Sequence, residues 1–358
     1  MTERVVVSGI GIVCPGLFGR EAVVRAFPTF GRPGSRGRLP DFALEDYLEG
    51  ARPFRRVAGA TKFALAAMAL AVGDAGFAPG SFGGDRAGIL VGITHGAAPY
   101  SVEFNRELRV EGPLAASPMH FAESVPNASA GNAAIAFQVH GPVHTLIGEE
   151  SVGAQAIDLA AGLLRAGLLD RCLVAGTEEW SEVITHAYRQ IDRATGRDKD
   201  PDKVTPMSEG AAALVLELEG APARRAGAPR AVLSGWSLSH RRAGSMEDAV
   251  AAVACEACRQ AGSAIAEVGH ILPPTGRHRR AARRGISAAR GDAAGPPIWV
   301  DLAPAIGNPV GAAHLVQVGV SAALLSAGTL KGPGLAVAAG IAGTLSAVVL
   351  SGANRERA

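Results

Sequence analysis

Apolar positions along the chain fall into two alternating kinds of segment. Arg4 to Val13 reads RVVVSGIGIV, a β-branched run interrupted only by small residues, and predicts a buried strand. Thr61 to Gly76 and Met246 to Gly262 are Ala-rich and predict helices. Short apolar strands alternating with helices predict an α/β protein whose mainly parallel sheets are covered by helices. Val152 to Leu164 is apolar nearly all round and rich in Gly and Ala, which predicts a helix buried between two sheets. Gly332 to Leu350 is long and apolar, but its Gly-Ile-Ala-Gly-Thr interruption predicts two buried strands around a tight turn. No charge-free run reaches the roughly 20 residues that a membrane helix requires.

The pattern repeats. Arg4 to Val13 pairs with RAVLSGWSLS (Arg230 to Ser239), and DRAGILVGITHG (Asp85 to Gly96) pairs with AEVGHILPPTG (Ala266 to Gly276). In both copies one of the Ala-rich helices precedes the second strand. Glu150 to Gly167 pairs with Asn308 to Gly328, setting Val152-Gly153-Ala154 over Val310-Gly311-Ala312. CLVAGTEEW follows the first of these helices and LAVAAGIAG the second. Two copies of one α/β unit are therefore expected, residues 1–225 and 226–358. A pseudo-twofold between them would place Glu150 and Asn308 at equivalent helix starts facing one cleft.

Charge and composition narrow the picture. The chain has 358 residues, 48% of them hydrophobic, with 35 basic against 33 acidic side chains, so a large core is expected and nucleic-acid binding is not. The one dense basic run, RHRRAARR (Arg277 to Arg284), reads as a solvated helix face or a docking patch for an acidic partner. Four cysteines (Cys14, Cys172, Cys255, Cys258) lack framework spacing, which points to a reduced, cytoplasmic setting. The CEAC pair has no second pair near it, so no metal is expected, nor any cofactor. The first residues, MTERVVVSGIGIVCPG, read as a strand rather than a signal peptide.

RVVVSGIGIVCPG, VPNASAGNAAIAFQVHGPVHT, MSEGAAALVLE and IAGTLSAVVL, in that order, carry a resemblance to the β-ketoacyl synthases. It implies the thiolase fold, a five-layer αβαβα sandwich of two duplicated halves. It also implies a catalytic set that this chain departs from. The family's acyl-bearing cysteine falls on Glu150, its two histidines on Pro274 and Asn308, and its lysine on Ala303; Leu345 stands where the family often has Asn. Claisen condensation needs a nucleophile and donors for the developing enolate and oxyanion, so condensation by this chain alone is not expected. The departures resemble those of a chain-length factor, the catalytically dead subunit that pairs with an active ketosynthase in type II polyketide systems, which implies that ketosynthase and an acyl carrier protein as partners. That subfamily usually has Gln where Glu150 stands. Asp192 to Pro206 and Ser237 to Glu247 are short for the family, in regions that normally shape the substrate entrance.

Other readings stay open. Glu149 and Glu150, with Asn308, form a candidate residual site for decarboxylation, acyl transfer, hydrolysis or cyclisation; alternatively the two carboxylates cap a helix or bridge a subunit interface. A donor-rich helix start lowers a carboxylate pKa whereas burial raises it. Met119, His120 and Phe121 could floor a tunnel or pack a core, and Asn127 and Asn132 lie on a small-residue helix expected at an interface. His314 and His144 are expected in structural roles, and His95 near a subunit boundary.

Overall fold

The computed structural model describes residues 3–34, 37–196, 207–222, 227–291 and 295–353. The boundary expected at 225/226 and the part of the short Asp192 to Pro206 stretch from 197 onward lie outside them. The strands are β1 (Val5–Cys14), β2 (Leu17–Phe18), β3 (Ala87–Ile93), β4 (Val143–Ile147), β5 (Arg171–Glu178), β6 (Gly210–Leu218), β7 (Ala231–His240), β8 (His270–Leu272), β9 (Ile298–Trp299), β10 (Gly334–Ala339) and β11 (Thr344–Ser351). The helices are α1 (Gly19–Ala26), α2 (Gly59–Asp74), α3 (Ala98–Val110), α4 (Pro118–Ser124), α5 (Ala128–Ala136), α6 (Val152–Arg165), α7 (Glu182–Ala194), α8 (Met246–Gln260), α9 (Arg279–Arg290), α10 (Ala303–Ile306) and α11 (Val310–Ser326).

The repeat read from the sequence is the topology. Outward from the junction, the first half runs β1-β6-β5-β3-β4 and the second β7-β11-β10-β8-β9. In both, the first two pairings are antiparallel and the last two parallel. The expectation of mainly parallel sheets therefore needs correction: each half-sheet is mixed. The antiparallel pairings are built by returning strands such as β11, which turns back on β10 at residues 340–343, as expected for that tight turn. A short antiparallel pairing of Val5–Val7 with Ala231–Leu233 joins the two half-sheets.

Strand alternation sends side chains to two cores per half-sheet. Along β1, Val5, Val7, Ile10 and Ile12 pack with α6 and α11 in a central core, while Val13 joins a second core under α2 and α5. A third core lies between the other half-sheet and α8 and α9. The result is five layers. Of the two central helices, α11 is the one buried all round, with 16 of its 17 residues inside. The all-round burial expected of Val152 to Leu164 is corrected: α6 leaves Asp158 and Leu159 exposed. Its buried face meets α11 so closely that a Cβ on Gly153 would lie 2.9 Å from Leu315 Cγ, so only glycine fits. Among the described residues no helix is long and apolar enough to cross a membrane.

Candidate active site

Two helix starts face each other at one end of the central layer. Glu150 precedes α6 by two residues and Asn308 precedes α11 by two. A Cβ on Gly276, in the loop after β8, would lie 3.1 Å from Glu150 Oε1 and 3.2 Å from Asn308 Nδ2, so the two side chains converge on that loop. The sequence-derived juxtaposition is thus present. Ala303, at the start of α10, and the Pro273-Pro274 pair are buried and contribute no acid, base or hydrogen-bonding side chain.

The two helix starts differ in how well their polar groups are satisfied. Asn308 Oδ1 accepts from Thr275 Oγ1 at 2.8 Å, and its backbone carbonyl accepts from Ser208 N at 3.1 Å. Glu150 is 5% exposed and its Oε2 has no hydrogen-bond partner. Burial pushes its carboxyl up to about 7, with Glu149 adding to the rise; its own backbone N–H, the Asn308 amide and the Arg277 charge pull the other way. Burial therefore outweighs the donors of the helix start.

Glu149 and Glu150 part company. Glu149 accepts from Ala342 N at 2.5 Å and Thr344 Oγ1 at 2.6 Å, tying the α6 entrance to the β10–β11 turn. Neither carboxylate caps α6: Ser151 is its N-cap residue, and no side-chain cap bond forms. Leu345, beside that turn, is buried in β11.

Several groups not anticipated from the sequence surround the pair. Glu178, at the end of β5, accepts from Thr94 N (3.2 Å), His95 N (3.0 Å) and Gly311 N (3.2 Å), stitching the β3 exit to the first turn of α11. Burial pushes its carboxyl up to about 8 against those three donors. The α11 entrance it holds contains Val310 at φ 23, a strained conformation for a β-branched residue. Tyr188 on α7 hydrogen-bonds His95 Nε2 at 3.2 Å; burial raises its pKa, as do the Glu150 and Glu178 carboxylates. Burial holds the His95 pKa low, and the ring turns toward Tyr188. Arg277 lies over the Tyr188 ring and pairs with Asp192 of α7 at 3.3 Å. The readable signs were modest: a carboxylate closing an apolar strand for Glu178, and an arginine right after the Pro-Pro-Thr-Gly loop.

The remaining candidates sit elsewhere. His314 is fully buried, with Ser346 Oγ at 2.9 Å from Nδ1 and Ala336 O at 3.3 Å from Nε2, a core histidine as expected. His144 lies exposed on β4. On α4, Met119 and Phe121 are 41% and 54% exposed, while His120 Nδ1 lies 2.8 Å from Glu107. Asn127 is the N-cap residue of α5, and Asn132 donates to Glu123 Oε1 at 3.1 Å. Cys14 and Cys172 are buried in β1 and β5 and Cys255 and Cys258 lie on α8, so no thiol occupies either helix start. Among the described residues no cluster suited to a metal occurs.

The architecture matches that of known proteins. The chain is 30% identical over 310 residues to 3-oxoacyl-[acyl-carrier-protein] synthase 2 of Rhizobium meliloti, covering 75% of this chain and 73% of the relative. Its fold superposes on the ishigamide ketosynthase/chain length factor with a TM-score of 0.86 at 20% identity, covering 98% and 99% of the two chains. It also superposes on a type II polyketide ketosynthase in complex with its acyl-carrier protein and bound to the hexaketide, with a TM-score of 0.79 at 18% identity and coverage of 98% and 100%. Residues 36–220 match the family described as β-ketoacyl synthase, N-terminal domain, and with a thiolase-like fold of two repeated halves the chain belongs to the β-ketoacyl synthase family.

Proposed function

We propose that the protein is a non-condensing ketosynthase-like subunit that pairs with an active ketosynthase and walls the tunnel in which a polyketide or polyene chain grows, as a chain-length factor does. The observation that carries this reading is Glu150: a buried carboxyl at the family's cysteine position, with no thiol at either helix start. A carboxylate is a poor nucleophile toward a thioester, and its acyl product would be a mixed anhydride, so retention of a growing chain there is unfavourable. Pro274, Ala303 and Asn308 remove the other acid–base groups that the resemblance leads one to expect.

Partnership has physical support. β4 is an edge strand with only partly buried side chains, and Ile147 on it and Ile135 on α5 are 64% and 71% exposed. An edge strand beside apolar side chains invites pairing with another chain. Met119 and Phe121 extend the apolar surface that an active subunit would cover. An acyl carrier protein would bring the chains, in the cytoplasm, to the active subunit.

Co-expression with a cysteine-bearing ketosynthase tests the reading. A stable 1:1 complex by size exclusion with light scattering is expected; a homodimer that ignores every such partner would contradict it.

A second reading draws on the pKa of about 7 and the unpartnered Oε2 of Glu150, which suit a general acid or base. In that case the isolated protein turns over carrier-bound acyl chains and Glu150→Gln abolishes the turnover. Under the first reading Glu150→Gln leaves synthesis by the complex in place.

A further inference from the structure

The end of α2 away from Glu178 and the Glu150 site borders a separate cavity. Ala60 N, at the start of α2, donates to Glu179 Oε2 at 3.2 Å, whereas Ala69, Val72 and Gly73 near its other end line a cleft of about 430 Å³. A helix rises about 1.5 Å per residue, so roughly 20 Å separates the two ends. Leu48, Val72, Phe82 and Phe137 line the cleft and are buried. Phe82 meets Phe77 edge to face at 5.2 Å and Phe137 at 6.4 Å, which fixes the aromatic wall.

Three polar side chains join that lining: Tyr47, Glu49 and Gln138. Tyr47 is held by stacking on Phe18 at 6.0 Å. Gln138 takes φ 54, a left-handed conformation uncommon outside glycine, and its carbonyl accepts from Gly84 N at 2.8 Å. Glu49 is exposed, and among the described residues nothing engages its carboxylate. The nearby cations are committed. Arg171 lies over the Phe77 and Phe82 rings and donates to Phe82 O and Gly83 O. Across Tyr47 and Gly73, an adjoining cleft carries Arg20, bound to Asp74 at 2.8 Å, and Arg25, 3.8 Å from Glu21. Among the described residues Glu49 is therefore the one charge lining the apolar cleft.

We propose that this cleft binds a lipophilic amine, with its apolar body against the phenylalanines and its ammonium at the lip, where the Glu49 carboxylate and the Gln138 amide oxygen accept from it. Small-molecule sites take most of their affinity from apolar lining and their orientation from a few polar groups, and this cleft has that composition. An ammonium carries three donors and no acceptor, which suits a carboxylate and an amide oxygen. A carboxylate ligand would instead meet Glu49 as a like charge, and Arg171 is already taken up by the two rings and two carbonyls. The Tyr47 and Phe137 rings add cation–π attraction near the lip. The proposal is independent of any reading of Glu150.

Ligand-observed NMR titration of the full chain at fixed ionic strength tests it, with three probes that share one apolar body: 4-phenylbutylamine, 4-phenylbutanol and 4-phenylbutyrate. The amine is expected to bind about fivefold more tightly than the alcohol, and the acid more weakly than either. Glu49→Gln should bring the amine down to the affinity of the alcohol and leave the alcohol unchanged. A Cβ added at Gly73 meets nothing within 4 Å, so Gly73→Leu can fill the cleft without displacing a neighbour, and replacing a helical glycine favours the fold. That variant should weaken amine and alcohol alike by about tenfold, with a melting temperature equal to or above that of the parent. Equal affinity for amine and alcohol in the parent chain, tighter binding of the acid, or full amine affinity in Gly73→Leu overturns the proposal, as does the absence of binding by all three probes.

Discussion

The two central helices begin alike and end up in different electrostatic states. At the α11 start, Asn308 is neutral, bonded to Thr275, and held in place through Glu178 on Gly311 N. At the α6 start, Glu150 is buried with one oxygen unpartnered and a pKa raised to about 7. Both lie in duplicated units of the same sheet order. The two helix starts can therefore carry different polar groups within one architecture, because the layers are held by apolar packing behind them. Both starts keep a pH dependence, α6 through Glu150 itself and α11 through Glu178 on Gly311 N.

The largest test of this contrast targets the packing that both helices share. Gly153→Val would drive a branched side chain into Leu315, and unfolding by denaturant should report a loss of about 3 kcal/mol. A loss well below that would mean that α6 and α11 can separate independently. An effect of opposite sign and similar size is expected at Glu150. Its folded pKa lies above the ordinary 4.5, so the native state is favoured by the protonated form. That contribution is full below about pH 4.5 and is lost as pH rises through about 7. Glu150→Gln should accordingly be more stable than the parent by about 3 kcal/mol at pH 8, with the difference vanishing near pH 4.5. A variant less stable than the parent at pH 8 would show that Glu150 is ionised and well solvated.

Much of this was legible in the sequence because repeats, apolar runs and Gly-rich turns are local signals. RVVVSGIGIV and RAVLSGWSLS gave away β1 and β7, and the position of Glu150 and Asn308 ahead of paired helices predicted their convergence. What escaped depended on contacts between distant segments. Antiparallel pairing of β6 with β1 joins residues about 200 positions apart, and nothing in either strand states its direction. Glu149 and Glu150 are neighbours in sequence, yet one reaches the β10–β11 turn and the other the Gly276 loop. Glu178 looked like any residue at a strand end until three backbone donors from two segments surrounded it. The exposed side of α6 escaped because Asp158 is the single charged residue between Val152 and Leu164.

On the proposed function, the helix start at Glu150 holds no nucleophile able to retain an acyl chain. Intact-mass spectrometry of the isolated protein after incubation with an acyl-loaded carrier protein tests it most directly. An unchanged mass is predicted, with acylation appearing only on the cysteine of an added ketosynthase. A stoichiometric acyl adduct on the isolated chain, mapped to Glu150, would contradict the account.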